Sequence, residues 1–177
     1  DMLELDTFWR SRLPSSRKGT SWLNMLKALV CYRLIDPGSE FRFHREWYVR
    51  SAIGDLLGED YSLAQKDKAY RCLDLLLEHR DELFGFLKGQ WGKLFGAKYD
   101  VLLYDLTSTY FESEPPPAGC DSKKRFGYSR DKRSDCVQVV VALVLTPEGF
   151  PIAYEVYPGN TRDSGTLGEF LDRIEKR

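Results

Sequence analysis

The sequence lacks most of the features that assign a chain to a class at a glance. No window reaches the roughly 18 uncharged apolar residues needed to cross a bilayer, so no membrane partner is expected. No basic-then-apolar leader follows Asp1, so no signal peptide is expected either. Cysteine is scarce: Cys31, Cys72, Cys120 and Cys136 form no CxxC pair, and only His44 and His79 are there to join them. Such spacing suits neither a zinc site nor a disulfide framework and points to reduced thiols in a cytoplasm. No charge sign dominates, since 26 Lys and Arg face 27 Asp and Glu for a net charge of −1. Any nucleic-acid contact must therefore come from a local patch rather than the overall field. There is no GxGxxG, no P-loop, no GxSxG elbow and no internal repeat.

What remains is an ordinary soluble composition, 42% apolar and 30% charged over 177 residues, enough for one large domain or two small ones. It excludes a disordered tail and a collagen-like repeat. The first residue is Asp rather than Met, so a piece of a longer protein is expected.

The pattern changes near residue 97. Residues 1–97 read as helical. Trp22, Met25, Leu26, Leu29 and Val30 follow the spacing of an amphipathic helix, which Thr20 or Ser21 can cap and Asp36-Pro37-Gly38 stops. A helix after Ser39 carries Phe43, Trp47 and Val49 or Tyr48. One around residues 66–79 sets Tyr70, Leu73, Leu76 and Leu77 on one face. Another begins near Asp81, shows Leu83, Phe84, Leu87, Trp91 and Leu94, and stops at Gly96. Residues 98–177 read as strand, long loop, strand, strand, helix. Val101 to Tyr104 is an apolar run suited to a buried strand, continued through Asp105 to Phe111. Val137 to Leu145 is a Val-rich strand, Thr146-Pro147-Glu148-Gly149 a turn, and Phe150 to Tyr157 the returning strand. Pro158-Gly159-Asn160 ends it, and Leu167, Phe170, Leu171 and Ile174 form a final helical stripe capped near Asp163, Ser164 or Thr166.

Asp105 is the leading candidate for chemistry. An aspartate after four apolar strand residues is costly to bury unless it is paired or binds a cation, and a strand-end carboxylate suits Mg²⁺. The competing role is a solvated carboxylate hydrogen-bonded to Thr107. Glu112 and Glu114 lie just beyond the strand and could assist, although alternation puts Glu112 on the opposite face from Asp105. The segment 123–133 holds Lys123, Lys124, Arg125, Arg130, Lys132 and Arg133 against the single acid Asp131. Its cations suit phosphate, and Phe126 and Tyr128 could stack on a base or sugar; the competing role is a solvated charged loop. Asp163 suits a helix cap.

Tyr104-Asp105-Leu106-Thr107-Ser108-Thr109-Tyr110-Phe111-Glu112 resembles the first catalytic-aspartate motif of bacterial insertion-sequence DDE transposases. Phe126-Gly127-Tyr128-Ser129-Arg130-Asp131-Lys132-Arg133 with Gln138-Val139-Val140-Val141 resembles the same family, as do Leu145 to Ile152 and Pro158 to Ser164. Tyr32 to Ser39 resembles the helical region that precedes its catalytic domain. Each motif is moderate alone; their order and spacing together are specific.

The resemblance implies an α+β chain: a helical N-terminal region (1–97, DNA-binding or scaffold) followed by the first half of a ribonuclease H-like domain (98–177), a three-stranded antiparallel meander plus a helix. In that family Asp, Asp and Glu bind two Mg²⁺ or Mn²⁺ ions that promote in-line phosphoryl transfer. Asp105 matches the first acid, as catalytic residue and metal ligand. The second Asp and the Glu are expected after the last helix, beyond Arg177, and Asp163 is not promoted in their place. The chain alone is therefore expected to be inactive and to hold no metal tightly. Lys123, Lys124, Arg125, Tyr128, Arg130, Lys132 and Arg133 are the expected DNA contacts. Expected partners are transposon ends, target DNA, a C-terminal half and a second copy of the chain, in a bacterial cytoplasm beside the nucleoid. The alternative is a DNA-binding or scaffold module without cleavage.

Overall fold

Helices come first and a three-stranded antiparallel sheet follows, an α+β arrangement. The structure is a computed structural model that describes residues 2–14, 19–100, 102–117, 119–128, 132–161 and 168. The chain folds as two compact units, Asp1–Leu83 and Phe84–Arg177, so the division falls ahead of the change of pattern at residue 97. No helix among the described residues is long and apolar enough to cross a membrane.

The first unit holds α1 (Leu5–Arg10), α2 (Trp22–Ile35), α3 (Glu40–Arg42), a π-helical turn (Phe43–Trp47), α4 (Tyr48–Arg50), α5 (Ile53–Leu57), α6 (Lys66–Glu78) and the start of α7 (Arg80–Phe95). Ser21 caps α2 by accepting the Asn24 N–H at 3.3 Å, as the sequence suggests. Past α2 the chain reverses over Tyr32, whose fully buried hydroxyl donates to the Ser39 carbonyl at 3.1 Å. A Cβ at Gly38 would lie 2.2 Å from that hydroxyl oxygen, so only glycine fits there. Ser39 then caps α3 through the Arg42 N–H. The π turn explains which aromatic faces inward after it. Its extra residue per turn brings Phe43 and Tyr48 onto one side, 5.7 Å apart, and leaves Val49 in solvent. Tyr32, Phe43 and Trp47 complete the cluster, with Tyr32 5.4 Å and 5.1 Å from the other two rings.

The stripe expected on α6 is not its buried face. Tyr70, Leu73 and Leu77 are exposed, Leu77 at 60%, and Leu76 is half-buried, whereas Ala69 and Cys72 are fully buried. Small side chains win because they let α6 come close to α2, so that Cys72 Sγ lies 3.9 Å from the Trp22 carbonyl oxygen. Apolar spacing identified the helix but not the side that packs.

The second unit is built on β1 (Leu103–Phe111), β2 (Val137–Leu145) and β3 (Pro151–Pro158), in the order β1-β2-β3. Leu106 pairs with Ala142, and Ala142 with Glu155. Leu106, Val140, Ala142 and Tyr157 form one buried cluster with Tyr104 against it; Val144 and Ile152 form a second with Tyr99 and Leu102. The β2–β3 reversal is fixed by Thr146, fully buried, whose N–H donates to the Phe150 carbonyl at 2.9 Å. Gly149 takes the left-handed conformation there, φ +91°. Within this unit α7 contributes Trp91 and Phe95, whose rings lie 4.7 Å and 5.1 Å from Phe150, and Phe84, 5.8 Å from Tyr154. The central buried strand expected at Val101 to Tyr104 differs in two respects. β1 begins at Leu103, itself exposed, and among the described residues it has a partner on one side only. The helical stripe read at residues 167–174 lies outside the described residues except for Gly168.

The four cysteines are free. Burial pushes the Cys72 thiol up to about 12, so almost no thiolate forms there at pH 8. Iodoacetamide at pH 8 is expected to modify the exposed Cys120 first and Cys72 only on unfolding. Peptide mass spectrometry of a timed reaction reads this directly; early labelling of Cys72 would contradict the packing of α6.

Candidate functional site

β1 presents Asp105 to solvent from its third position, not from its end. Its cross-strand neighbour is Leu143, which in turn faces Tyr154 on β3. Along β1 the same face carries Leu103 and Thr107, two residues to either side. One Asp105 carboxylate oxygen accepts the Thr107 hydroxyl at 3.0 Å, and no ion pair to Asp105 forms among the described residues. A strand disfavours aspartate, yet this one is set among uncharged side chains with its carboxylate open to water. It has the hydrogen bond of the solvated reading and the accessibility of the metal-binding one.

Neither nearby glutamate joins it. Glu112 follows the strand seven residues later, about 23 Å away along extended backbone. Its carboxylate accepts from Arg133 Nη1 at 2.7 Å, and Glu114 is exposed in the loop beyond. Among the described residues no three His, Cys, Asp or Glu side chains gather to hold a metal. Asp105 with the Thr107 hydroxyl is therefore too small a donor set for a magnesium centre, which needs about six oxygens including several from water or phosphate. Asp163, Ser164 and Thr166 lie outside the described residues.

The basic segment is partly built into the sheet. Arg125 and Gln138 exchange backbone hydrogen bonds of 3.0 Å and 2.9 Å, forming an isolated antiparallel bridge. Beside it the Gly159 N–H donates to the Lys123 carbonyl at 3.0 Å. Lys123 to Arg125 thus takes up β2 where β3 has ended at Pro158. Gln138 is 1% exposed, and its amide nitrogen donates to the carbonyls of Tyr128 (2.8 Å) and Gly159 (2.9 Å). The contact needs two glycines. A Cβ at Gly127 would lie 2.0 Å from the Gly159 oxygen, and one at Gly159 2.1 Å from the Gln138 oxygen. With Gly127 pressed inward, its neighbours face out: Phe126 is 52% exposed and Tyr128 87%.

The cations divide by what neutralises them. Arg133 donates to both oxygens of Asp135, at 3.0 Å and 3.1 Å, as well as to Glu112, and its guanidinium lies 4.9 Å from the Tyr110 ring. These bonds push Arg133 up and hold Asp135 below the usual carboxylate range. Arg133 is thus a clamp between the end of β1 and the start of β2 rather than a free phosphate ligand. Lys123 donates to the Val156 carbonyl at 2.6 Å and lies 3.8 Å from Glu155. Lys124 sits over the Phe111 ring at 4.3 Å, and Arg125 donates to the carbonyls of Lys124 and Cys120. Among the described residues Lys123 is thus paired with a carboxylate, whereas a ring and carbonyls leave the charges of Lys124 and Arg125 uncompensated. Lys132 is exposed, with a left-handed backbone of φ +59°. Arg130 lies outside the described residues. Lys124 also lines an open groove of about 650 Å³ along the second half of β1, with Ser108, Tyr110 and Glu112.

Sequence reasoning passed over Gln138 and the two glycines as functional supports. The available signal was a lone amide in an otherwise apolar Val-rich strand. No family model, curated protein or solved structure matches this chain.

Two outcomes follow. Gly127→Ala should destabilise the second unit by about 1–3 kcal/mol through overpacking against backbone that cannot yield, measured by urea unfolding; an unchanged midpoint would mean the contact is not formed. The Arg133 clamp should weaken in acid. Asp135 is depressed in the folded state, so its contribution is complete above the unfolded value near 3.9 and lost as pH falls through the folded value. Arg133→Gln should remove that part of the acid dependence of the thermal midpoint.

Proposed function

We propose that this chain carries the first part of an insertion-sequence DDE transposase, with a ribonuclease H-like catalytic domain beginning near residue 98. The single observation that carries the reading is Asp105: a carboxylate on a sheet strand, open to solvent, placed among uncharged neighbours and joined to no cation among the described residues. The antiparallel meander around it and the ordered motifs from Tyr104 to Ser164 support the same reading. On this reading Asp105 is one metal ligand of three, and the others are supplied from sequence beyond Arg177. The side of β1 that has no partner among the described residues accepts a further strand, from that sequence or from a second copy. Lys124, Arg125 and Lys132 contact DNA phosphate, whereas Arg133 holds the loop in place.

A non-catalytic DNA-binding module is the second reading, favoured by the exposed aromatics and uncompensated cations of 124–128 in unit 2 beside a single candidate ligand. The two part on one experiment. In the chain joined to the sequence that follows Arg177 in its gene, Asp105→Asn should abolish Mg²⁺-dependent strand cleavage at transposon ends without changing the melting temperature. Cleavage retained by that variant would end the catalytic assignment.

Duplex binding gives a separate check. With about three phosphates engaged, log affinity against log salt should have a slope of roughly −3. Replacing Lys124, Arg125 and Lys132 by Gln should flatten it. Arg133→Gln should leave it nearly unchanged; a large change there would return Arg133 to the phosphate contacts.

A further inference from the structure

We propose that Phe126-Gly127-Tyr128 is a stacking platform for an unpaired nucleobase, so that this face of the second unit takes single-stranded or locally opened DNA in preference to intact duplex. The inference rests on the nucleic-acid reading above and names the form of DNA that the basic segment recognises.

Tyr128 is 87% exposed although its own backbone is fixed. Its carbonyl accepts from the buried Gln138 amide at 2.8 Å, and the residue before it is wedged against the Gly159 carbonyl. A tyrosine at the tip of a loosely held loop loses much freedom when it binds. Here the backbone is already held by two glycines and an amide, so an approaching base has only the side-chain torsions of the ring left to order. Phe126 stands on the other side of Gly127, half in solvent, as a second ring on the same support.

The surrounding charge suits a nucleic-acid strand. Lys124 and Arg125 precede the platform, and their partners are a ring and backbone carbonyls, which neutralise neither. Arg133, which faces two carboxylates, takes no part. Cations alone would serve an intact duplex, whose bases are stacked on one another and offer no π-face. Exposed rings next to uncompensated cations are the arrangement that binds a strand whose bases are free.

The test measures anisotropy of a labelled 12-residue oligothymidylate and of a duplex of the same length, at one salt concentration near 50 mM. The chain is compared with Tyr128→Ala, Tyr128→Phe and the double variant Lys124→Gln, Arg125→Gln, each shown folded by its melting curve. The platform requires tighter binding to the single strand. It also requires a loss of about tenfold or more on that strand for Tyr128→Ala, little loss on duplex, and retention by Tyr128→Phe. The double variant should weaken both. Equal binding to both forms, or a Tyr128→Ala variant that binds the single strand as the parent does, overturns the platform. If the double variant still weakens binding in that case, the phosphate contacts stand without it. No binding of either form by the parent chain overturns the platform and the DNA role of the basic segment together, leaving the Asp105 assignment to its own cleavage test.

Discussion

A primary amide buried in a sheet must find acceptors for its two N–H groups, and Gln138 finds them in two separate loops. Its nitrogen reaches the Tyr128 carbonyl in the β1–β2 connection and the Gly159 carbonyl after β3. Because the amide is 1% exposed, losing either partner would leave a polar group without water or protein to satisfy it. The same residue bridges Arg125 through its main chain, and the close approach of Gly127 to Gly159 lies beside its amide, so backbone and side chain together hold the segment that turns Tyr128 outward. The loop that resembles a solvated charge run in sequence is bridged to the sheet at Arg125 and held by the Gln138 amide at Tyr128.

That attachment changes what the charges mean. A count of cations treats Arg133 and Lys124 alike. In the folded chain Arg133 has two carboxylates and an aromatic ring around it, whereas among the described residues the Lys124 ammonium has only the Phe111 ring. Arg133 ties Glu112 to Asp135 and so closes the base of the long connection. The consequence runs back to Asp105. With Glu112 held at the far end of β1, the strand offers one carboxylate near its start and a neutralised one beyond its finish. Any further ligand for a cation at Asp105 has to come from elsewhere.

Much of this was legible in the sequence where local rules decide. The Ser21 cap and the Asp36-Pro37-Gly38 stop bracket α2, and β2 coincides with the Val-rich run from Val137 to Leu145. Local rules failed where packing chooses between faces. On α6 the larger Tyr70, Leu73 and Leu77 lost the interior to Ala69 and Cys72, because helix approach rewards small side chains rather than apolar ones as such. On α4 the π turn before it shifted the face by one residue, which no apolar spacing reveals. In the candidate site Asp105 stood out as an acid in an apolar run. The Arg133–Glu112 bond and the two bonds of the Gln138 amide could not be read, since each joins segments 10 or 21 residues apart in sequence.

On the proposed reading, the Asp105 carboxylate is a ligand of a divalent cation, held weakly by this chain because its other donors are missing from the described residues. Paramagnetic broadening of backbone amide signals by millimolar Mn²⁺ tests it most directly, with the Asp105→Asn protein as control. If Asp105 is a ligand, the amides of Leu106 and Thr107 broaden at the lowest Mn²⁺ concentrations and recover in the Asn protein. Broadening that leaves β1 untouched, or that persists there without the carboxylate, would contradict the claim.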